Sequence, residues 1–205
     1  MTTILLIRHG ENDYVKKGRL AGRLPGIHLN PTGQRQAQSL AERLKDAPIK
    51  ALFSSPLERA IETAQPIADS LGIQVVLRPG LLETDVGEWS GEKLKGLSRL
   101  KLWRVVQYAP SAMNFPGGES FLTTQTRIVE ELLDLSRQYE PQDMIICVSH
   151  ADPIRLAVAY FIGLPLDMFQ RLIVSPGSIT VLQLGEMGGR LLALNFEPGF
   201  SLRKS

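Results

Sequence analysis

Cysteine is almost absent: Cys147 is the single one in 205 residues. That excludes an intramolecular disulfide framework and any zinc site built from several thiolates. Aromatic residues are scarce at 6%, and none alternate with basic residues as a nucleic-acid platform requires. No apolar run approaches the ~20 residues that a membrane helix needs. The opening stretch has only Ile4, Leu5, Leu6 and Ile7 before charge begins, which is not the pattern of a signal peptide, so a cytoplasmic setting is the default. Repeats and low-complexity linkers are lacking too. Charge of one sign is not in excess: 23 Lys and Arg against 21 Asp and Glu leave a net charge of +2. Neither nucleic acid nor a membrane is therefore expected as a partner, and nothing in the pattern sets a subunit number. A chain of this length buries about 70% of its unfolded surface, so one domain over 1–205 needs no covalent or metal staple.

What is present is an alternation of short apolar runs with amphipathic stretches, which predicts an α/β fold with a mostly parallel sheet sandwiched by helices. Ile4–Ile7 reads as a strand buried on both faces. Pro31, Thr32 and Gly33 open a helix whose apolar positions Ala37, Leu40, Ala41 and Leu44 are spaced by three and four. Ala51–Phe53 is a second strand, stopped by Ser54, Ser55 and Pro56. A helix over Leu57–Leu71 ends at Gly72. Gln74–Leu77 and Met144–Val148 are further strands, and Pro153 begins the helix after the latter. Ile179–Leu184 and Leu191–Asn195 flank a glycine-rich turn as a closing hairpin. The stretch 83–139 breaks the rhythm. It holds Trp89, Trp103, the Asn114-Phe115-Pro116-Gly117-Gly118 loop and two helices, Lys93–Tyr108 and Glu119–Tyr139. It reads as a helical insertion over the carboxyl edge of the sheet, placed to serve as a lid.

Polar residues gather where the expected strands end. Arg8 and His9 close the first, Ser54, Ser55 and Arg59 follow the second, Glu83 follows the third, and Ser149 and His150 close the fourth. In a parallel sheet these places share one edge, where ligands bind. Two imidazoles, two guanidiniums and a carboxyl group in one crevice suit phosphoryl transfer. A neutral imidazole is a competent nucleophile towards phosphorus. Guanidiniums grip the non-bridging oxygens, and a carboxylic acid can protonate the leaving oxygen. The set asks for no metal and no organic cofactor. From the residues alone, Glu83, Glu88 and Glu92 are equal candidates for the acid.

The run Leu6-Ile7-Arg8-His9-Gly10-Glu11 resembles the signature of the histidine phosphatase superfamily, which includes the cofactor-dependent phosphoglycerate mutases. Gly33–Ala37, Ser54–Ala60, Leu82-Glu83, Gly87–Gly91, Pro116–Ser120 and Val148–His150 resemble its later blocks, in order and over nearly the whole chain. The resemblance implies that His9 becomes phosphohistidine and that Arg8, Arg59 and His150 form the phosphate pocket with it. It also implies that Glu83 first gives a proton to the leaving group and then activates water. Two positions depart from the family. Val15 stands where many relatives carry Asn, removing a phosphate contact that Asn12 could replace. Ala151 stands where many carry Gly, and its methyl group limits how closely a ligand approaches the backbone. Asn12, Arg19, Gly22 and Ala151 are the candidate substrate-binding positions.

Other polar or aromatic residues have plainer readings. Cys147 lies within an apolar strand and is core. His28 is a solvated loop residue. Lys16, Lys17, Arg19 and Arg23 are either ordinary surface charge or a rim attracting phosphorylated substrates. Trp89 and Trp103 pack the insertion, and Gly117–Ser120 opens a helix whose amides could face an anion. The function expected is a metal-independent phosphomonoesterase acting on a small phosphorylated metabolite through phosphohistidine. A phosphoglycerate mutase-type phosphomutase is the alternative, and a non-catalytic phosphate-binding regulatory module is the alternative of another class.

Overall fold

The structure, a computed structural model, describes residues 1–186 and 188–196. Strand β1 (Thr2–Arg8) is followed by a one-turn helix α1 (Asp13–Lys16), helix α2 (Pro31–Leu44), strand β2 (Ile49–Ser54), helix α3 (Glu58–Leu71) and the short strand β3 (Val75–Leu77). Helices α4 (Leu94–Leu97), α5 (Lys101–Tyr108) and α6 (Phe121–Arg137) come next, then strand β4 (Met144–Ser149) and helix α7 (Ala151–Phe161). The hairpin β5 (Ile179–Gly185) and β6 (Gly188–Phe196) completes the described chain. The six strands form one sheet in the order β3-β2-β4-β1-β5-β6. The first four run parallel, and β5 is antiparallel to both β1 and β6.

The unbroken apolar run of β1 is explained by its two packed faces. Ile4 and Leu6 point into one layer with Ile128, Leu132 and Leu135 of α6 and Ile154, Ala157 and Val158 of α7. Leu5 and Ile7 point into the other with Leu40 and Leu44 of α2 and Ala60, Ala64 and Ile67 of α3. Cys147 lies fully buried in the first layer, where burial pushes its thiol pKa far up, so it is inert packing. Because the parallel strands all end on one side, Arg8, Ser54 and Ser149 reach the same edge. In β1 and β4 the register is direct, with Arg8 paired to Ser149.

The stretch between Leu82 and β4 departs from the sequence expectation in two ways. The single helix expected over Lys93–Tyr108 is broken into α4 and α5, with Leu100 extended between them (φ −76°, ψ 143°). Gly96 and Ser98, both weak helix formers, stand at the break. In addition, α6 does not lie over the sheet edge except at its first residue, Phe121, which joins the cluster there. Its Ile128, Leu132 and Leu135 stripe is continuous with the sheet core, so it is one of the flanking helices. The part that roofs the edge is the segment before it. There Val86, Trp89, Leu97, Val106, Met113 and Phe115 form a third cluster, closed below by Phe121, Leu156 and Phe169. Helix α7 starts at Ala151 and not at Pro153, because His150 is already extended (φ −125°) and takes the cap position.

Close backbone packing behind residue 9 requires two glycines. A Cβ on Gly33 would lie 2.1 Å from the Glu11 carbonyl oxygen, and one on Gly10 would lie 2.7 Å from the Gly33 carbonyl oxygen. Neither obstacle is a movable side chain. Gly33→Ala is therefore expected to cost about 1–3 kcal/mol of stability in urea denaturation, as overpacking does. Gly96→Ala, where an added Cβ meets nothing within 4 Å, is expected to change stability by less than about 1 kcal/mol. Equal costs at the two positions would refute this account of the Gly10–Gly33 contact.

Candidate active site

A cavity of about 310 Å³ opens at the carboxyl edge of the sheet, and Arg8, His9, Arg59 and Glu83 line it. His9 follows β1 directly and is 3% exposed. Its backbone N–H donates to the Ser149 carbonyl (3.0 Å), tying it to the end of β4. His9 Nδ1 lies 2.7 Å from the Gly10 carbonyl oxygen. A carbonyl only accepts, so Nδ1 carries the proton and the Nε2 lone pair is left free. Burial, with the Arg59 and Arg8 charges adding to it, holds the imidazole pKa well below its usual value of 6.5. His9 is thus neutral at neutral pH.

His150 stands beside it, with ring centroids 5.1 Å apart. It is fully buried, and its Nε2 lies 2.8 Å from Ser55 Oγ. Its Nδ1 has no hydrogen-bond partner among the described residues. With the Ser55 hydroxyl donating to Nε2, Nδ1 carries the proton and is a spare donor. Burial, Arg59 and His9 all hold this ring neutral as well.

The guanidiniums are less satisfied still. Arg59, in the first turn of α3, is the largest fully buried side chain. Its Nη2 donates to the Gly22 carbonyl (2.8 Å), while Nε and Nη1 have no partner among the described residues. Arg8 donates through Nη1 to the Val174 carbonyl (2.6 Å), and its Nε is also free. Burial lowers the Arg8 pKa to about 10, which leaves it charged. Buried cations with idle donors are costly unless an anion completes them. Helix α7 begins at this same point, so its amino end adds a favourable potential for an anion.

Glu83 enters on the loop after β3. Its Oε1 accepts from its neighbour Thr84 N (3.0 Å), and its own carbonyl accepts from Arg23 Nε (2.8 Å) and Arg127 Nη2 (3.4 Å). Burial above all, then the Asp152 charge, pushes its pKa up to about 7 against the opposing pull of Arg59. Of the three carboxylates weighed from the sequence, Glu83 lines the cavity, whereas Glu88 and Glu92 are exposed and do not.

Asn12, Arg19, Gly22 and Ala151 all line the cavity, and so does Val15. Asn12 is fully buried. Its Oδ1 caps α1 by accepting from Val15 N (2.9 Å), and its Nδ2 has no partner among the described residues. Gly22 is in the left-handed region (φ +51°), where a Cβ would meet Val86 Cγ2 at 2.7 Å. The basic stretch after residue 15 splits up. Arg19 stays on the cavity wall, Lys17 pairs with Asp13, and Arg23 pairs with Glu119 (2.8 Å). His28 is exposed and bonded to Glu62. In the Gly117–Ser120 turn, Gly118 N donates to the Phe115 carbonyl and Glu119 N to the Asp85 carbonyl (both 2.9 Å), so these amides are spent within the chain, while Glu119 Oε1 accepts from Arg23, Arg127, Thr124 and Asp85 N. Sequence reasoning missed this bracket, which holds the Glu83 loop, and also the Asp152–Arg155 pair on the cavity wall (3.2 Å). The latter had a signal: two opposite charges at i, i+3 in the turn after His150.

A sequence model of the histidine phosphatase superfamily (branch 1) matches residues 4–197. The chain belongs to that superfamily. Among curated relatives, it is 34% identical to a 2,3-bisphosphoglycerate-dependent phosphoglycerate mutase of Thermoplasma acidophilum, covering 95% of this chain and 92% of the relative. It is 28% identical to phosphoserine phosphatase 1 of Hydrogenobacter thermophilus, with the same coverage. Among solved structures, a phosphoserine phosphatase of Entamoeba histolytica in complex with phosphoserine superposes with a TM-score of 0.87 at 28% identity, covering 95% of this chain and 97% of that one. The fold and the enzyme class of this histidine phosphatase follow: a mixed α/β phosphoric monoester hydrolase. Among the described residues, no helix is long and apolar enough to cross a membrane.

Proposed function

We propose that the protein hydrolyses a small phosphorylated metabolite through a phosphohistidine on His9, in the cytoplasm. The observation that carries this is the neutral, buried His9 with Nε2 free, beside the Arg59 guanidinium whose Nε and Nη1 have no partner among the described residues. The phosphoryl group would sit on the Arg8 and Arg59 donors and His150 Nδ1. The His9 Nε2 lone pair forms the bond to phosphorus as the bond to the leaving oxygen breaks, and that oxygen takes the proton of the Glu83 carboxyl group. Glu83, now a carboxylate, accepts a proton from the water that attacks the phosphohistidine. Inorganic phosphate is released, and both side chains return to their starting states. The segment 83–120 would act as the lid that keeps water out of the first step.

Glu83 gives the reaction a pH signature. With its pKa near 7, the acid form is lost as pH rises. The kcat/KM for an ester with a poor leaving group is then expected to fall about tenfold per pH unit above that value. The limb on the acid side, from protonation of His9, belongs well below 6.5. Glu83→Gln, which cannot titrate, is expected to abolish the alkaline limb. It should also slow alkyl phosphates far more than p-nitrophenyl phosphate, whose leaving group needs no proton. Equal slowing across that series would exclude the acid role. Retention of full rate in excess chelator checks the expected metal independence.

The likeness to the Thermoplasma mutase keeps a phosphomutase as the second reading. The phosphoenzyme is common to both, and its lifetime with and without an acceptor alcohol separates them. A non-catalytic module has no use for a protonated Glu83 in the cavity. Tight binding of a phosphate ester without turnover would be needed to revive it.

A further inference from the structure

Beyond the phosphate-binding end, the cavity is walled by apolar groups. Trp103 and Val106 come from α5, with Leu94, Phe115 and Val15 around them. Trp103 stacks on Trp89 (centroids 6.1 Å apart, planes at 27°). Trp89 is 6% exposed, whereas Trp103 is only partly buried and borders the cavity. The packing therefore ends in a flat ring that still has surface to cover, the usual partner of another ring.

The charges on the wall carry the same message. Among the described residues, the cavity is lined by four cations: Arg8, Arg19, Arg59 and Arg155. Arg8 and Arg59 are at the phosphate end. Arg155 is tied to Asp152 at 3.2 Å, with both side chains mostly buried. Arg19 is at the exposed rim, its Nε donating to the Gly91 carbonyl (2.8 Å) and its guanidinium over the Tyr14 ring. A second anionic group on the substrate would find the inner cations already engaged, Arg8 and Arg59 on the phosphoryl group and Arg155 on Asp152, with only Arg155 Nε left without a partner among the described residues, and it would have to approach the Asp152 carboxylate on the wall.

We propose that the leaving alcohol is uncharged and carries a flat ring that packs on Trp103, and that the Asp152–Arg155 pair turns away esters bearing a carboxylate or a second phosphate. This rests on the phosphomonoesterase reading and narrows its substrate class. Trp103 and Asp152 are then specificity-determining residues.

The test compares 2-phenylethyl phosphate with 3-phosphoglycerate and phosphoserine, all esters of aliphatic alcohols, so that leaving-group basicity does not set the order. The wild type is expected to show a kcat/KM at least ~10-fold higher for the phenylethyl ester, the scale of one filled apolar subsite. Trp103→Ala should bring that ratio towards one, mainly through KM, while Trp103→Phe should keep most of it. Asp152→Asn leaves Arg155 without its counter-charge and should raise kcat/KM for the two acidic esters about tenfold, a gain that a merely structural role does not produce. Binding of the same three esters to His9→Ala protein, followed by calorimetry, should give the same order without any turnover. An inverted order in either assay, or a ratio indifferent to Trp103→Ala, overturns the proposal. Wild-type protein that turns over no ester, p-nitrophenyl phosphate included, overturns the phosphatase reading instead, and the binding order still decides this one.

Discussion

His9→Ala protein is expected to lose at least about 10⁴-fold in turnover of p-nitrophenyl phosphate, the scale of removing a nucleophile from an intact site. Two imidazoles stand 5.1 Å apart, so the prediction must also say why the first attacks and the second does not. His9 has its Nδ1 proton fixed by the Gly10 carbonyl, which leaves Nε2 free. His150 spends Nε2 on Ser55, and where the Ser55 hydroxyl donates to it, His150 Nδ1 carries a proton and not a lone pair. His150→Ala should therefore cost less, about 10²–10³-fold, as the loss of one oxyanion donor does. Rapid mixing with labelled substrate, quenched in alkali, should trap label in wild-type protein as an acid-labile phosphoramidate and none in the His9 variant. Label retained by His9→Ala and lost from His150→Ala would exchange the two roles.

Arg59→Met is expected to do two opposite things. Activity should fall at least about 10³-fold, because Arg59 alone offers two idle donors to the phosphoryl group and cations gripping transferring oxygens dominate such reactions. The ligand-free protein should become more stable, by about 1–3 kcal/mol in chemical denaturation. The guanidinium is fully buried and forms no ion pair among the described residues, the Glu83 and Glu58 charges acting on it without direct contact, and apolar replacement of a buried, poorly compensated charge commonly stabilises. Phosphate should narrow the gap by stabilising only the wild type. A variant both inactive and less stable would mean that Arg59 is held in place for packing and not for an anion. A site that costs stability in its empty form is the usual mark of function.

The strand ends were legible because the chemistry there is written in strict order along the chain: Arg8-His9, Ser54-Ser55, Ser149-His150. A parallel sheet brings such places together whatever its strand order. Buried runs such as Ile4–Ile7 and the spacing of Leu40 and Leu44 carried the layers. Two kinds of feature were hidden. Helix α6 was read as part of a cover because its apolar stripe, Ile128 to Leu135, says that it packs but not on what. The break between α4 and α5 had a local trace in Gly96 and Ser98, whereas the start of α4 is fixed by a distant loop through Leu94 N and the Gly18 carbonyl (2.9 Å), which no local propensity encodes. The local pattern does not tell Glu83 from Glu88 and Glu92; the Leu82-Glu83 block of the family resemblance does, and Glu83 is the one that lines the cavity. The bracket of Arg23, Glu119 and Arg127 joins residues far apart in sequence and leaves no short-range trace.

The position of β4 between β1 and β2 bears on how the molecule is made. The two strands that leave the ribosome first are not neighbours, so neither can zip onto the other to start a sheet. Strand β2 can pair with β3 early, but until Met144–Ser149 has emerged and slotted between β2 and β1, the two halves of the site stay unjoined. The order of synthesis therefore delays assembly, and a product truncated before β4 would be a substrate for chaperones and proteases, not a smaller working enzyme.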